Sequence, residues 1–359
     1  MSLSVGIVGL ANVGKSTLFE ALTKKQVNIS NYPFCTIDPN VGVVELPDAR
    51  LDKLAEISKS AKKIPAIVQF TDIAGLVKDA HKGEGLGNKF LANIRETDAI
   101  LFVVRCFENS EIVHVEKTID PVRDIDIVNM ELMLKDLETL EKRIQKAEAD
   151  GKSGKEVITD ELDFLKKLKA SLEQGNLARQ FAEQNEGILK ELQVLTAKPS
   201  IFVLNSNKEE IPSELEKKIK DLDSEYIIAN LRDECDSNKF TEEEKNELGL
   251  TESKLNQIIE KSYKVLGLIT FYTTGPDETR AWTIKQGTLA PQAAGVIHTD
   301  FENKFICIDT INYQKLFDIA KQNPEGDPWS QAARFGQLRT EGKEYIIQDG
   351  DVIVVKHGQ

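Results

Sequence analysis

The sequence has few cysteines and no long apolar run. Its four cysteines, Cys35, Cys106, Cys235 and Cys307, lie far apart without a C-x-x-C pair. This spacing suggests neither a disulfide framework nor a zinc knuckle. No apolar run approaches the roughly 20 residues that a membrane helix needs, and residues 1–8 lack the basic region and apolar core of a secretion signal. We therefore expect a cytoplasmic protein that does not span a membrane.

An excess of positive charge is also lacking, because acidic residues outnumber basic ones and the formal net charge is −13. Coating nucleic acid without sequence preference requires clustered Lys and Arg to neutralise phosphates. The composition therefore argues against such a protein, and we expect no specific DNA recognition. A local basic face remains compatible with this charge.

The most specific motif is a glycine-rich segment near the N-terminus. Residues 9–16 read G-L-A-N-V-G-K-S, which matches G-x-x-x-x-G-K-[ST] at every fixed position. A strand predicted over 4–9 precedes the segment and a helical pattern follows it, as a phosphate-binding loop (P-loop) requires. Successive backbone N–H groups of such a loop surround the β-phosphate, and the helix N-terminus adds favourable charge.

This loop supplies a set of candidate nucleotide ligands. Lys15 is expected to reach the β- and γ-phosphates, and Ser16 to bind Mg²⁺ through its hydroxyl. A simple helix cap is the alternative for Ser16. The predicted nucleotide-binding residues of this segment are Asn12, Val13, Gly14, Lys15, Ser16 and Thr17.

A second element, F-T-D-I-A-G at residues 70–75, follows an apolar strand. Asp72 fits the carboxylate that holds a Mg²⁺-bound water, and the N–H of Gly75 is placed to sense the γ-phosphate. Asp72 alternatively caps a turn. Thr36, in a loop between the two elements, is expected to close over Mg²⁺ in the triphosphate state or else to stabilise a turn. The predicted metal ligands are therefore Ser16, Thr36 and Asp72.

The distribution of apolar residues predicts an α/β fold with a mostly parallel sheet, because strand-like runs alternate with helical patterns. Those runs cover 4–9, 66–71, 99–107, 200–205 and 225–230. The charged stretch 131–198 has apolar residues at three-and-four spacing and a turn-like break at 150–154. It predicts an antiparallel helical hairpin that forms a coiled coil; helices packed on the sheet are the alternative.

The pattern of the sequence changes after about Phe271. The segment T-T-G-P-D at 273–277 is interpreted as a linker, and the short apolar pieces after it suggest a small sheet crossed by a helix. We therefore expect a separate C-terminal domain without a phosphate-binding loop.

Longer stretches of the sequence resemble the YchF subfamily of Obg-like ATPases. The stretches that carry the resemblance are G-L-A-N-V-G-K-S-T-L-F, N-Y-P-F-C-T-I-D-P-N, D-I-A-G-L-V-K-D-A-H-K-G-E-G-L-G-N-K-F, R-A-W-T-I-K-Q-G-T, A-A-G-V-I-H-T-D-F and Y-I-I-Q-D-G-D-V. They are spread over nearly the whole chain. The resemblance implies a Mg²⁺-dependent, ribosome-binding regulatory ATPase that hydrolyses ATP to ADP and phosphate.

The resemblance also implies a three-domain layout. A nucleotide-binding, G-type P-loop domain is expected over 1–130 and 199–272, with the helical hairpin inserted at 131–198. Residues 273–359 are expected to form a β-grasp domain of the TGS type.

The residue that orients the attacking water is not obvious from the motifs. Leu76 follows Gly75 where many related GTPases have a glutamine, and leucine cannot polarise water. The resemblance offers His114 instead, because a histidine side chain can accept or align a proton of the water; a histidine packed after the preceding strand is the alternative. The predicted catalytic residues are then His114, Lys15 and Gly75.

The residues that follow the strand predicted over 200–205 bear on base selection. Guanine is usually read by N-K-x-D, whose aspartate accepts hydrogen bonds from the base, but numbering from Asn205 puts Lys208 at the fourth position. This register disfavours guanine and also departs from the N-x-x-E of YchF proteins. A register beginning at Asn207 ends at Glu210, which keeps GTP as an alternative to ATP.

The remaining predicted contacts to the nucleotide come from three separate places in the chain. Asn205, Ala229 and Leu231 are predicted to contact the base region. Asn12 resembles the loop asparagine of related enzymes that use K⁺ as a second cation, and K⁺ stimulation is accordingly a hypothesis.

Overall fold

The computed structural model describes residues 3–24, 40–73, 88–108, 118–152, 159–237, 240, 244 and 253–358. By internal packing the chain divides into two compact units. The first contains the described residues within 1–25, 36–42 and 69–258, and the second contains those within 43–68 and 259–359. The proposed domain bounds stay a prediction.

The strands form two six-stranded sheets, ordered β2-β4-β1-β5-β6-β7 and β11-β10-β12-β8-β9-β3. The strands are β1 (Ser4–Val8), β2 (Val41–Glu45), β3 (Lys62–Ile64), β4 (Ile67–Asp72), β5 (Ala99–Arg105), β6 (Ser200–Asn205), β7 (Glu225–Ala229), β8 (Leu268–Thr274), β9 (Glu278–Lys285), β10 (Phe305–Asn312), β11 (Arg339–Glu341) and β12 (Asp351–His357).

Helices connect the strands and cover the sheets. They are α1 (Lys15–Thr23), α2 (Ala49–Ser58), α3 (Asn88–Arg95), α4 (Pro121–Lys152), α5 (Thr159–Glu173), α6 (Ala182–Glu191), α7 (Ser213–Asp221), α8 (Leu231–Ser237), α9 (Lys254–Val265), α10 (Ala290–Ile297), α11 (Thr299–Asn303), α12 (Tyr313–Gln322) and α13 (Pro328–Arg334). Short 3₁₀ helices occupy Ala178–Phe181 and Leu195–Ala197. No helix in these described ranges is long and apolar enough to cross a membrane.

The first sheet confirms the predicted α/β class. β1 pairs in parallel with β4 and β5, and β5–β6 and β6–β7 are parallel as well. Every residue of β5 and β6 is buried, as expected when helices cover both faces of a parallel sheet. Phe102 and Phe202 stack on one face with ring centroids 4.8 Å apart. This arrangement places the carboxyl ends of β1, β4 and β6 at one edge of the sheet.

The predicted helical insertion is present as two long helices, α4 and α5. Ion pairs Glu148–Lys166 and Glu141–Lys169 join them at 2.8 and 2.9 Å, in the order of an antiparallel pair. Their shared apolar cluster includes Leu140, Ile144, Leu165, Leu168 and Leu172. α4 begins at Pro121, before the predicted start at 131, because the apolar residues of its first turns pack on the sheet: Ile125 and Val128 belong to the cluster of Phe102 and Phe202.

The second sheet has mixed pairing: β8–β9, β10–β11 and β10–β12 are antiparallel, whereas β12–β8 and β3–β9 are parallel. The interpretation of 273–277 as a linker is wrong, since Thr273 and Thr274 end β8 and Thr274 pairs with Thr279 of β9. The Gly-Pro-Asp composition marks the turn of a hairpin within one sheet. β3 was not predicted, because two of its three residues are exposed lysines and its pairing with β9 is invisible in local sequence.

Candidate nucleotide-binding site

The loop between β1 and α1 has a backbone that needs its two glycines. Gly9 has φ 153°, and a Cβ there would lie 2.3 Å from the carbonyl oxygen of Val103. Gly14 has φ 110°, and a Cβ there would lie 2.6 Å from Nδ2 of Asn205. Asn12 also has a positive φ, of 62°, which asparagine tolerates better than most residues. The P-loop motif is thus explained by close backbone approaches and left-handed geometry.

Lys15 is the central charged residue of this loop. Its side chain is only 8% exposed, and Nζ donates to the carbonyl of Gly9 at 3.0 Å and to the carbonyl of Leu10. Burial lowers the pKa of Lys15 to about 8, and the charge of Asp72 partly opposes this shift. The ammonium is therefore held by neutral carbonyls, an arrangement that favours binding of an anion beside it.

The first turn of α1 lies next to this ammonium. Its N-cap, Gly14, provides no side-chain cap, and the turn contains no acidic residue. The first N–H groups of a helix lack intrahelical partners and favour negative charge. Ser16 is exposed and Thr17 half-buried at this end of the helix, where their hydroxyls can meet a ligand.

Asp72 is the last residue of β4 and is buried. In the parallel pairing of β4 with β1 it lies opposite Ile7, two residues before the P-loop, and its N–H donates to the carbonyl of Asn40 at 2.9 Å. The sheet therefore brings a carboxylate to the P-loop, while the predicted role of Asp72 at Mg²⁺ stays a prediction. Within the described residues, no cluster of three or more His, Cys, Asp or Glu is arranged to hold a metal.

Asn205, the last residue of β6, connects the P-loop to the opposite side of the site. Its Nδ2 donates to the carbonyl of Val13 at 2.9 Å, and its Oδ1 accepts from the N–H of Leu231 at 3.3 Å. Asn207 is instead exposed. These contacts identify Asn205 as the anchoring asparagine, so that Lys208 and not Glu210 is the fourth residue of the motif.

The residues predicted to contact the base are close to Asn205, with their main-chain groups partly engaged. The carbonyl of Ala229 accepts from the N–H of Ser206 at 3.1 Å, and the N–H of Leu231 is used by Asn205. The Leu231 side chain is buried, and its Cδ1 lies 3.2 Å from where a Cβ on Gly14 would be. Leu231 therefore packs beneath the P-loop.

Ser206 is a residue of the site that the sequence analysis missed. It is buried, and its Oγ accepts from the N–H of Lys208 at 3.0 Å. A serine whose hydroxyl accepts from the N–H two residues later is a known turn-forming pattern. This pattern is the signal by which Ser206 could have been recognised from the sequence. Thr36, Gly75, Leu76 and His114, by contrast, lie outside the described residues, and their predicted roles stay predictions.

Comparison with protein families identifies two segments. Residues 4–147 match a family described as "50S ribosome-binding GTPase". Residues 268–358 match the C-terminal family of YchF GTPases, described as "Protein of unknown function (DUF933)". The second match begins at the first residue of β8.

Several curated proteins are similar over nearly their full length. The chain is 46% identical to a "Ribosome-binding ATPase YchF" of Bacillus subtilis and 44% identical to one of Escherichia coli O157:H7, each over 98% of both chains. Among solved structures, the "Schizosaccharomyces pombe YchF GTPase" is similar with a TM-score of 0.82 and 39% identity, over 99% of this chain and 98% of that one.

Proposed function

The chain belongs to the YchF family, and on this premise we propose that it is a Mg²⁺-dependent ATPase that hydrolyses ATP to ADP and phosphate as a regulatory switch on ribosomes. The observation that carries the proposal is the buried ammonium of Lys15, which the carbonyls of Gly9 and Leu10 hold at the start of α1. A buried cation with neutral partners beside uncapped helix N–H groups suits a polyphosphate.

In this proposal the chain binds and positions the triphosphate through its P-loop. The N–H groups of residues 12–16 surround the β-phosphate, and Lys15 leaves its carbonyl partners to contact the β- and γ-phosphates. The donor set fits Mg²⁺, because the hydroxyl of exposed Ser16 and the carboxylate of buried Asp72 are oxygen donors at one sheet edge. Bound there, Mg²⁺ would offset charge on the phosphate oxygens; Thr36 is proposed as its further ligand.

The hydrolytic step is in-line attack of water on the γ-phosphate. We assign orientation of that water to His114 and detection of the γ-phosphate to the N–H of Gly75. The test is hydrolysis by His114→Ala: turnover should fall while ATP affinity stays unchanged. Unchanged turnover would remove His114 from the mechanism.

The base preference rests on the relatives and on the position of Lys208. The bacterial relatives are named ATPases, whereas the Schizosaccharomyces pombe relative is titled a GTPase. The anchoring contacts of Asn205 support the register whose fourth residue is Lys208, which cannot accept a hydrogen bond from guanine. Calorimetric titration with ATP and with GTP, both with Mg²⁺, tests the assignment, and tighter GTP binding would favour the GTPase alternative.

Ribosome binding is proposed from the names of the relatives, and it would place the protein in the cytoplasm. Co-sedimentation with purified ribosomes, with a non-hydrolysable ATP analogue and with ADP, should show nucleotide-dependent binding. Equal sedimentation in both states would argue against a nucleotide switch.

The K⁺ hypothesis concerns Asn12, whose positive φ turns this residue of the P-loop sharply. Hydrolysis should be faster in potassium than in sodium buffer at equal ionic strength. Equal rates would remove K⁺ from the proposal.

A further inference from the structure

The turn after β6 has a fixed start. Asn205 is bound on one side to the carbonyl of Val13 and on the other to the N–H of Leu231. These contacts span 192 and 26 residues of sequence, so a slip of the motif by two residues would break both. Position 208 is therefore determined by the fold.

The main chain at Lys208 is also fixed. Its N–H donates to the hydroxyl of Ser206 at 3.0 Å, and Ser206 is itself buried and donates its N–H to the carbonyl of Ala229 on the neighbouring strand. These hydrogen bonds link the main chain of Lys208 to the ends of β6 and β7.

The side chain of Lys208 is exposed. Among the described residues it forms no ion pair, although Glu209 and Glu210 follow it directly. Other exposed lysines of the first unit do form ion pairs: Lys190 pairs with Glu186, and Lys220 pairs with Glu216 at 2.7 Å. The ammonium of Lys208 therefore remains available to a ligand.

We infer that Lys208 is a base-specificity residue that donates a hydrogen bond to N1 of adenine. This inference deepens the proposed function and rests on it. The edge of a purine at N1 and C2 differs between the two bases: adenine has an acceptor at N1, whereas guanine has donors at N1 and at its 2-amino group. The aspartate at the fourth position of N-K-x-D selects guanine by accepting from these donors.

An ammonium has three donors and no acceptor, so Lys208 selects in the opposite direction. It matches N1 of adenine, and it places a donor against the two donors of guanine. A donor left facing a donor loses its hydrogen bond and its hydration together, which is how sites discriminate between polar analogues. The chain thus has a hydrogen-bond donor for adenine at the position where N-K-x-D proteins have an acceptor for guanine.

The experiment measures the ratio of the ATP and GTP dissociation constants, using non-hydrolysable analogues with Mg²⁺ and the full chain. In Lys208→Met, which removes the charge at nearly constant length, the ATP preference should fall by roughly fivefold to tenfold. In Lys208→Asp the preference should move further, towards GTP. Glu210→Gln is the matched control on the same turn and should leave the ratio unchanged.

A second measurement tests whether N1 of adenine is the atom that Lys208 contacts. The 1-deaza analogue of ATP has C–H in place of N1, so the wild-type chain should bind it more weakly than ATP by the same factor. Lys208→Met should bind the two equally, because the donor to N1 is absent.

Several outcomes would overturn the inference while leaving the proposed ATPase intact. They are an unchanged ratio in both Lys208 variants, an equal loss of ATP and GTP affinity, which would show attraction to phosphate alone, and a changed ratio in Glu210→Gln. Failure of the wild-type chain to bind either triphosphate would instead overturn the proposed function, and the inference with it.

Discussion

The two units hold charged side chains in different ways, one buried and the other half-buried. At the edge of the parallel sheet, the ammonium of Lys15 contacts the neutral carbonyls of Gly9 and Leu10, and burial lowers its pKa to about 8. In the second unit, Arg50 binds Asp48 through two nitrogens, at 2.8 and 3.0 Å, and Asp349 at 2.6 Å. Burial opposes the charge of Arg50 as well, but the hydrogen bond to Asp48 and the surrounding charges raise its pKa.

This difference separates a ligand site from a structural network. Arg50 is matched by carboxylates and lies over the ring of Tyr272, whose hydroxyl donates to Asp48; its role is complete within the fold. The direct hydrogen-bond partners of Lys15 are neutral carbonyls, which do not balance its positive charge. A bound anion would balance it. A buried charge held by neutral partners, near solvent, thus indicates a binding site.

The largest expected effect comes from removing the unbalanced charge. Lys15→Met should weaken ATP binding about a hundredfold, because a buried charge pair with phosphate is lost. The nucleotide-free protein should not lose stability, since the buried ammonium itself costs free energy. Calorimetry and thermal melting measure the two quantities. Lys24→Met, at the other end of α1, is the control, and normal ATP binding by Lys15→Met would contradict the comparison.

The balanced charge should behave in the opposite way. Arg50→Met removes the cation that Asp48 and Asp349 share and should lower the free energy of unfolding of the second unit by about 2 kcal/mol, with ATP affinity unchanged. Both tryptophans, Trp282 and Trp329, lie in this unit, so their fluorescence during urea denaturation reports it. Arg50→Lys keeps the charge but not the planar guanidinium, so its free energy of unfolding should lie between those of the wild type and Arg50→Met. An unchanged midpoint would refute the assigned role.

The lowered pKa of Lys15 predicts a pH dependence of ATP binding. As pH rises through about 8, Lys15 loses its proton in the nucleotide-free protein. Binding of ATP must then be accompanied by uptake of a proton. Affinity should fall by up to about tenfold between pH 7 and pH 9. Titrations in buffers of different ionisation heat should detect proton uptake near pH 8.5; constant affinity across this range would contradict the interpretation.

Asp136 extends the comparison because, like Lys15, it is a buried charged residue whose hydrogen-bond partners are neutral. Unlike Lys15, it has no exposure to solvent at all (0%). It accepts from the N–H groups of Leu195 and Thr196 at 2.7 and 2.8 Å and from the Thr196 hydroxyl at 2.7 Å. We therefore expect a structural role. Asp136→Asn should lower the free energy of unfolding by about 1 kcal/mol, since one acceptor is lost.

Burial raises the pKa of Asp136 to about 6, which sets the sign of its pH dependence. The folded state binds the proton more tightly than the unfolded state, so this stabilisation is full below about pH 4 and is lost as pH rises through about 6. The gap in stability between wild type and Asp136→Asn should therefore narrow from pH 5 to pH 7.5 in denaturation followed by circular dichroism. Asp126→Asn, an exposed site on α4, is the control; a widening gap would contradict the assignment.

The sequence predicted the first unit better than the second. β6 matches its predicted bounds, because a continuous apolar run between polar residues is a strong local signal. The second sheet was only outlined: β3 is too short and polar to recognise, and β8 was partly taken for a linker. Its order depends on pairings between distant segments, which local patterns do not contain.

The sequence by itself determined the P-loop, because its motif and the start of α1 lie within a few consecutive residues. It also determined which carboxylate follows a strand. Only the tertiary structure decided where the side chain of Asn205 is bound, since its two partners come from β1–α1 and from the start of α8. Whether a buried charge is balanced by the fold or left for a ligand likewise depends on groups that folding brings together.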